Sequence, residues 1–241
     1  MAWQVSAFRY GTRETTRGEC FVDDRRPAEP LRMDYFFWLL RGDRGETILV
    51  DTGFDPVVGE RLGRTTLIPP LEALARAGVS PADVPTLVLT HLHYDHTGHV
   101  HAFPDAEVVV AARELETPDG PVEPAELETV RGARRLRVLD GDAEVAPGVR
   151  VHLVGGHSPG QLVLDVETAD GPVVLASDAI HYYEELEGSR FEVCADVDEM
   201  LRGYELVREL AARPGAVLVA GHDPAVLDRF ENDGVEVRCR A

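Results

Sequence analysis

The sequence is poor in cysteine and basic side chains, and it has no long hydrophobic run. Its three cysteines, Cys20, Cys194 and Cys239, form neither a zinc-type pair spacing nor a disulfide framework. This cysteine usage favours a reducing, cytoplasmic location. The longest apolar run, Tyr35 to Leu40, has six residues, whereas a membrane-spanning helix needs about twenty. The first twenty residues contain no apolar segment of the kind found in a signal peptide.

The charge balance excludes several classes of partner. The 241 residues carry 24 basic and 43 acidic side chains, a formal net charge of −19 at pH 7. A protein that binds nucleic acid or an anionic membrane surface needs a basic face, so we expect neither partner. The same charge predicts slower association of strongly anionic substrates through long-range repulsion. Since no repeat or flexible linker divides the chain, we expect a single domain over residues 1–241.

Short apolar runs alternate with helical patterns along the chain. The runs are rich in β-branched and aliphatic residues and predict strands at 35–40, 47–50, 87–89, 108–111, 149–154, 162–166, 173–176 and 216–220. Some are nearly continuous in apolar character, which is typical of strands covered on both faces. Helical patterns occur at Pro69–Ala77, Pro124–Arg134 and Asp198–Ala212. This interleaving predicts an α/β layered domain.

The segment from Thr90 to His99 carries the strongest chemical signal. It follows the strand pattern at Thr86–Leu89, so we expect it at the carboxyl end of a strand, where α/β ligand sites lie. Its spacing, His-x-His-x-Asp-His, places four donors within six positions: His91, His93, Asp95 and His96. Imidazoles packed this closely would repel one another if protonated, and neutral imidazoles with a carboxylate are the preferred donors for zinc and similar ions. The segment therefore predicts a metal site.

Three later segments repeat the same arrangement, a donor at the carboxyl end of a short strand. They carry His157 in a Gly-rich turn, Asp178 after the strand at 173–176, and His222 after the strand at 216–220. Taken alone, each is compatible with an ordinary loop residue or helix cap. Taken together, they predict one ion held by His91, His93 and His157, and a second ion held by Asp95, His96 and His222. Asp178 is then a carboxylate able to bridge the two.

Together with Asp51-Thr52-Gly53, these motifs occur in an order that resembles the metallo-β-lactamase superfamily. They extend over about 170 of the 241 residues. The resemblance implies an αββα sandwich, in which two sheets face each other between outer helices and a dinuclear metal site lies at one edge of the sheets. It also implies that Asp51 orients the loop beneath the metals.

Within the superfamily, the chain is most similar to the N-acyl homoserine lactonases and related hydrolases. Asp178 argues against the true β-lactamases, which lack a bridging aspartate, and His93 argues against the flavodiiron proteins, which carry a glutamate there. Glyoxalase II has a C-terminal helical domain, for which the segment after His222 is too short. The chain departs from the lactonases where His181 replaces a tyrosine three residues after the bridging aspartate. Gln161 likewise replaces a histidine that often follows the Gly-His-Ser-Pro-Gly turn.

The resemblance implies a metal-dependent hydrolase that opens an ester-like bond, most readily a lactone, with a metal-bridging hydroxide as nucleophile. Two divalent ions are expected; the His-rich, thiolate-free donors favour zinc, and they also accept manganese or iron. Asp95 is expected to shuttle a proton besides binding metal. Either His181 or Tyr182 is expected to donate a hydrogen bond to the developing oxyanion. The alternative for both residues is a packing role beneath a loop.

The same donor set is compatible with other activities. A thioesterase or other acyl-ester hydrolase uses the same kind of metal centre, and a mononuclear-iron sulfur dioxygenase shares much of the ligand set. A non-catalytic metal-binding module would keep the donors without turnover. The expected partner is a small-molecule ester or lactone, and the oligomeric state is open, with a homodimer included. We expect His99, His101 and His152 to bind no metal.

Overall fold

The structure, a computed structural model, describes residues 2–240, which build fourteen strands and eight α-helices. The strands are β1 (Trp3–Thr16), β2 (Pro30–Gly42), β3 (Thr47–Val50), β4 (Thr65–Thr66), β5 (Thr86–Val88), β6 (Glu107–Ala111), β7 (Arg135–Leu139), β8 (Ala143–Ala146), β9 (Val149–Leu153), β10 (Leu162–Glu167), β11 (Pro172–Ser177), β12 (Val217–Ala220), β13 (Glu231–Asn232) and β14 (Glu236–Arg238). The helices are α1 (Arg17–Cys20), α2 (Pro56–Arg61), α3 (Pro70–Arg76), α4 (Tyr94–Thr97), α5 (Ala112–Glu116), α6 (Pro124–Arg131), α7 (Val197–Ala211) and α8 (Val226–Arg229).

The strands form two sheets. The larger sheet has the order β13-β14-β1-β2-β3-β5-β6-β7, with β4 beside β1, and the smaller sheet has the order β12-β11-β10-β9-β8. The long strands β1 and β2 pair antiparallel from Trp3 opposite Gly42 to Thr16 opposite Pro30. β3, β5, β6 and β7 are mutually parallel, as are β11 and β12 in the smaller sheet.

Strand β2 shows how the layers stack. One face carries Phe36, Trp38 and Leu40, which belong to the core shared with the smaller sheet. The other face carries Tyr35, Phe37 and Leu39, which pack in a second core together with residues of α3 and α6. Both faces are therefore buried, which explains why this segment is continuously apolar rather than alternating. The predicted αββα sandwich is confirmed.

Helix α7 covers the outer face of the smaller sheet. It begins after Asp196, whose side chain accepts a hydrogen bond from the backbone of Glu199. Its buried residues, Met200, Tyr204 and Val207, recur at helical spacing and pack against the smaller sheet, whose two faces belong to one continuous hydrophobic cluster. The helix lies one residue earlier than predicted. Although α7 is the longest helix, neither it nor any other helix within residues 2–240 is long and apolar enough to cross a membrane.

The parallel strands bring their carboxyl ends to one edge of the molecule. In the larger sheet, β3 is followed by Asp51 and β5 leads into the histidine cluster. In the smaller sheet, β11 is followed by Asp178, and β12 by Gly221 and His222. Because parallel strands point the same way, these segments meet across the gap between the sheets.

Candidate metal centre

The loop after β5 is held from below by Asp51. Its carboxylate accepts hydrogen bonds of 2.8 Å from both the backbone N–H and the hydroxyl of Thr90, and it lies 2.8 Å from Nδ1 of His96. Asp51 itself adopts a left-handed backbone conformation with φ of 61°, which is costly for a residue with a side chain and is concentrated at functional sites. Asp51 thus positions this loop, as the resemblance to the superfamily implies.

Two groups of side chains that could bind a metal ion lie next to the loop that Asp51 holds. In the first, ligand atoms of His91, His93 and His157 all lie within 4.8 Å of one another. In the second, ligand atoms of Asp95, His96 and His222 meet the same limit. All six side chains are buried. The structure therefore brings together the two sets that the sequence predicts.

Asp178 lies between the two groups. Its Oδ1 is 3.1 Å from Nε2 of His222 and 3.3 Å from Nε2 of His96. Its Oδ2 is 3.4 Å from Nε2 of His157 and 3.9 Å from Nε2 of His91. Oδ2 is also 3.2 Å from Nε2 of His222. The carboxylate of Asp178 thus contacts both groups of donors, which is the arrangement that a bridging ligand needs.

Two features of the backbone hold Asp178 in this position. Ser177, the last residue of β11, has φ of 46°, in the left-handed region. The neighbouring strand end approaches so closely that a Cβ on Gly221 would lie 2.4 Å from the carbonyl oxygen of Ser177. Only glycine allows this approach, and it lets His222 stand beside Asp178.

The second ring nitrogen of four histidines contacts an acceptor outside the cluster. The distances are 3.1 Å from His93 Nε2 to the Asp119 carbonyl, 3.3 Å from His157 Nδ1 to the Val193 carbonyl, 2.8 Å from His96 Nδ1 to Asp51, and 2.8 Å from His222 Nδ1 to the Asp34 carbonyl. Such contacts fix the proton on the outer nitrogen and turn the other lone pair towards a metal.

Several inward-facing atoms have no partner within the described chain. Nε2 of His91, Nε2 of His96 and Oδ1 of Asp178 are buried without a hydrogen bond. Buried polar atoms are nearly always satisfied, so a cluster of such atoms calls for a missing partner. Neutral imidazole nitrogens and carboxylate oxygens at this density fit divalent metal ions.

Local electrostatics also suits metal binding. Burial, assisted by neighbouring imidazoles, holds the pKa of His91 well below its ordinary value. Burial does the same for His157, so both rings are neutral donors. Burial alone would lower the pKa of His96, but the carboxylates of Asp178, Asp51 and Asp95 outweigh it and raise that pKa. The same three carboxylates would attract a metal cation, which would take the place of the proton on the inner nitrogen of His96. Burial likewise opposes the charge on Asp178, but His222, His96 and His181 hold its pKa well below the usual range.

His181 lies against the same cluster. Its Nε2 is 3.3 Å from Oδ2 of Asp178, and its Nδ1 is 3.6 Å from Oε1 of Glu185. The ring stacks on Phe191 with centroids 3.5 Å apart. Glu185 is fully buried and accepts a hydrogen bond from the hydroxyl of Tyr204 at 2.5 Å. A chain of contacts thus runs from helix α7 through Glu185 to the imidazole.

Tyr182 is placed differently. Its hydroxyl donates to the backbone carbonyl of Arg32 at 3.2 Å, and its ring packs edge-on against Phe21. Tyr182 does not line the cleft above the donors, whereas His181 does. The backbone turns the phenol of Tyr182 towards β2, so this side chain lies in the packing position that the sequence offers as the alternative, whereas His181 faces the donors.

A cleft of about 140 Å³ opens above the donors. Sequence patterns single out its metal-facing residues but not its other lining residues, which include Arg13, Met33, Arg64, Phe191 and Val193. These come from separate segments and share no motif, so only the folded chain identifies them.

The three histidines that we expect to bind no metal lie outside the cluster of donors. Nδ1 of His101 is 2.7 Å from Glu126, and Nδ1 of His152 is 2.8 Å from Asp142. Neither residue belongs to a group of side chains in residues 2–240 that could hold a metal ion, and the same is true of His99.

Comparison with known proteins agrees with this geometry. Residues 34–222 match the family model described as the Metallo-beta-lactamase superfamily. An N-acyl homoserine lactonase from Bacillus sp. is 29% identical over 227 residues, covering 86% of this chain and 90% of the relative.

Solved structures show the same fold. A quorum-quenching N-acyl homoserine lactone lactonase superposes with a TM-score of 0.83 at 24% identity, covering 97% of this chain and 98% of the other. AidC, a dizinc quorum-quenching lactonase, superposes with a TM-score of 0.72 at 20% identity, covering 92% of this chain and 88% of the other.

Proposed function

Because this chain belongs to the metallo-beta-lactamase superfamily, we propose that it is a metal-dependent hydrolase that opens an ester-like bond, most readily that of a lactone. The observation that carries the proposal is Asp178, whose carboxylate lies between two groups of buried donors and contacts both. The lactone preference is supported by the Bacillus relative, which is an N-acyl homoserine lactonase.

We propose that two divalent ions bind here. His91, His93 and His157 would hold one, Asp95, His96 and His222 would hold the other, and Asp178 would contact both. Zinc is the first candidate because the donor set is rich in imidazole and has no thiolate, and manganese or iron would accept the same donors. When bound, such a pair lowers the pKa of water to near neutrality and polarises the ester carbonyl.

The protein side chains supply the remaining steps. His181 lies beside Asp178 with its ring fixed between Phe191 and Glu185, where a proton on Nε2 can be donated to the oxygen that becomes negative. The carboxylate of Asp95 lines the cleft and can carry a proton to the departing oxygen. Met33, Phe191 and Val193 give the cleft apolar walls that exclude water from the substrate.

The test combines metal analysis with a substrate panel. Protein loaded with zinc, manganese or iron is assayed with an N-acyl homoserine lactone, a simple ester and a thioester of matched acyl length. We expect lactone hydrolysis that a chelator abolishes and added metal restores. Hydrolysis of thioesters alone would identify a thioesterase instead, and oxygen uptake with a persulfide would identify a dioxygenase. Bound metal without turnover of any substrate would indicate a binding module.

A further inference from the structure

The cleft has two arginines on its wall. The sequence contains no lysine, so all 24 basic side chains are arginines. Arg13 and Arg64 line the same cleft as Asp95, Asp178 and His181. Neither guanidinium forms an ion pair with a carboxylate of residues 2–240.

Arg13 comes from β1 and is half-buried. It pairs with Met33 of β2, which also lines the cleft. Its Nε is buried and has no hydrogen-bond partner among the described residues. Burying a cationic donor without a partner costs free energy. A ligand with a hydrogen-bond acceptor would therefore stabilise Nε of Arg13, because no residue of the described chain supplies one.

Arg64 reaches the cleft from the segment between α2 and β4 and is also half-buried. Its Nε donates to the hydroxyl of Tyr94 at 2.9 Å, and its Nη1 donates to the carbonyl of Leu62 at 2.7 Å. These two contacts fix the guanidinium, while Nη2 has no acceptor among residues 2–240. Nη2 of this fixed, positively charged guanidinium is therefore available to bind a ligand.

Several other buried or partly buried arginines of this chain are neutralised by carboxylates. Arg17 pairs with both Asp24 and Glu184, and Arg9 pairs with Asp34. With 43 acidic side chains for 24 arginines, carboxylates are plentiful. Arg137 and Arg190 are also half-buried and form no ion pair within residues 2–240, but neither lines the cleft. Arg13 and Arg64 are distinguished because both lie on the wall of this one cleft.

We propose that the substrate carries an oxyanion, a carboxylate or a phosphate, close to the ester bond that is broken, and that Arg13 and Arg64 bind this group. The inference rests on the proposed hydrolase function and narrows its substrate class. Guanidinium groups match oxyanions in both charge and geometry. The repulsion expected from the net charge acts at long range and is screened by salt, whereas these two groups act by direct contact.

A matched pair of lactones tests the proposal. One is a γ-butyrolactone with a carboxylate on its γ carbon, and the other carries a carboxamide at the same position. We expect kcat/KM to be at least about tenfold higher for the carboxylate. Arg13→Gln and Arg64→Gln should each remove most of this preference, because one hydrogen bond to a charged group corresponds to about ten- to hundredfold. The carboxamide should change less than about threefold. A third lactone with a phosphonate on its γ carbon distinguishes a phosphate-type oxyanion from a carboxylate.

Two further variants serve as controls. Arg44 is exposed and follows the end of β2 that lies far from Met33, so Arg44→Gln should leave both rates unchanged. Tyr94→Phe removes the hydroxyl that accepts from Arg64 but keeps the charge, so it should reduce the preference less than Arg64→Gln does. Equal rates for the two lactones, unaffected by either cleft arginine, would overturn the oxyanion site and leave the hydrolase intact.

A binding experiment separates the two proposals. Tetrahydrofuran-2-carboxylate has no bond to hydrolyse, and its affinity for the metal-loaded protein is measured by calorimetry beside that of the carboxamide. If no lactone is hydrolysed but the carboxylate binds in a manner that depends on Arg13 and Arg64, the hydrolase proposal is wrong and the oxyanion site stands. If the variants bind the carboxylate as tightly as the unaltered protein does, the oxyanion site is wrong.

Discussion

Oδ1 of Asp178 lies 3.1 Å from Nε2 of His222, where the parallel strands β11 and β12 end side by side. The contact joins two residues 44 positions apart, and it exists because each residue follows a strand that ends at the same edge of the smaller sheet. The other carboxylate oxygen reaches across to His157. Asp178 is thus the point at which the two donor groups meet.

Asp178→Asn is the first test of this arrangement. The amide keeps the volume of the side chain but cannot offer two anionic oxygens, so two cations would face each other uncompensated. We expect the metal content to fall from two ions to one or fewer per chain and hydrolysis to fall at least about hundredfold. Mass spectrometry of the native protein and a metal assay measure the first effect. Two ions and a near-normal rate would remove Asp178 from the site.

The histidines provide an internal comparison. His157→Ala and His222→Ala should each lower metal content and abolish hydrolysis, because each removes an imidazole from a different donor group. His152→Ala should retain both properties, since the hydrogen-bond partner of this ring is the exposed Asp142, which is not a candidate metal ligand. The three variants are compared for metal content, rate and thermal midpoint. A loss of metal from His152→Ala equal to that from the other two would contradict the assignment.

His181 and Tyr182 are predicted to differ in kinetic effect. Loss of one oxyanion donor costs about 10²–10³ in kcat, and we expect this from His181→Ala at constant metal content with little change in KM. Glu185→Gln should give a smaller fall in kcat, because the ring remains but loses the carboxylate that positions it. Tyr182→Phe removes only a hydroxyl bonded to the Arg32 carbonyl, so its kcat should be unchanged. An equal fall in kcat for Tyr182→Phe and His181→Ala would contradict these roles.

The metal-free protein should show a specific pH dependence. Burial lowers the pKa of His181, but the carboxylates of Asp178 and Glu185 outweigh it and raise that pKa to about 9. The unfolded value is near 6.5, so the stability that this charge contributes is fully present below pH 6.5 and is lost as the pH rises to 9. The contribution is on the order of 3 kcal/mol.

Urea unfolding with a chelator present measures this contribution as the difference between the unaltered protein and His181→Gln. We expect the difference to be large at pH 6 and to shrink by pH 9. With metals bound, the added positive charge should oppose the imidazolium and flatten the dependence. A difference that does not vary between pH 6 and pH 9 in the metal-free protein would show that the ring carries no charge there.

The prediction of the fold from the sequence succeeded where local signals are strong. The apolar runs predict strands such as β3 and β10 within one residue of their ends, because strands buried on both faces need continuous apolar sequence. No apolar run predicts β1, although it is the longest strand. Its polar residues interrupt the alternation of apolar and polar residues that indicates a strand. Its backbone is held in place by pairing with β2 and β14, and β14 is far away in the sequence.

The sequence alone determined the chemistry of the donors: the His-x-His-x-Asp-His spacing and the single donors after later strands are local features that parallel strands carry to one edge. Only the tertiary structure decided that the carboxylate of Asp178 contacts both donor groups, that Tyr182 turns away, and that Arg13 and Arg64 enter the cleft. The physical reason is that a side chain's direction depends on close packing with segments far away in the chain, and the sequence around each of these residues carries no record of that packing.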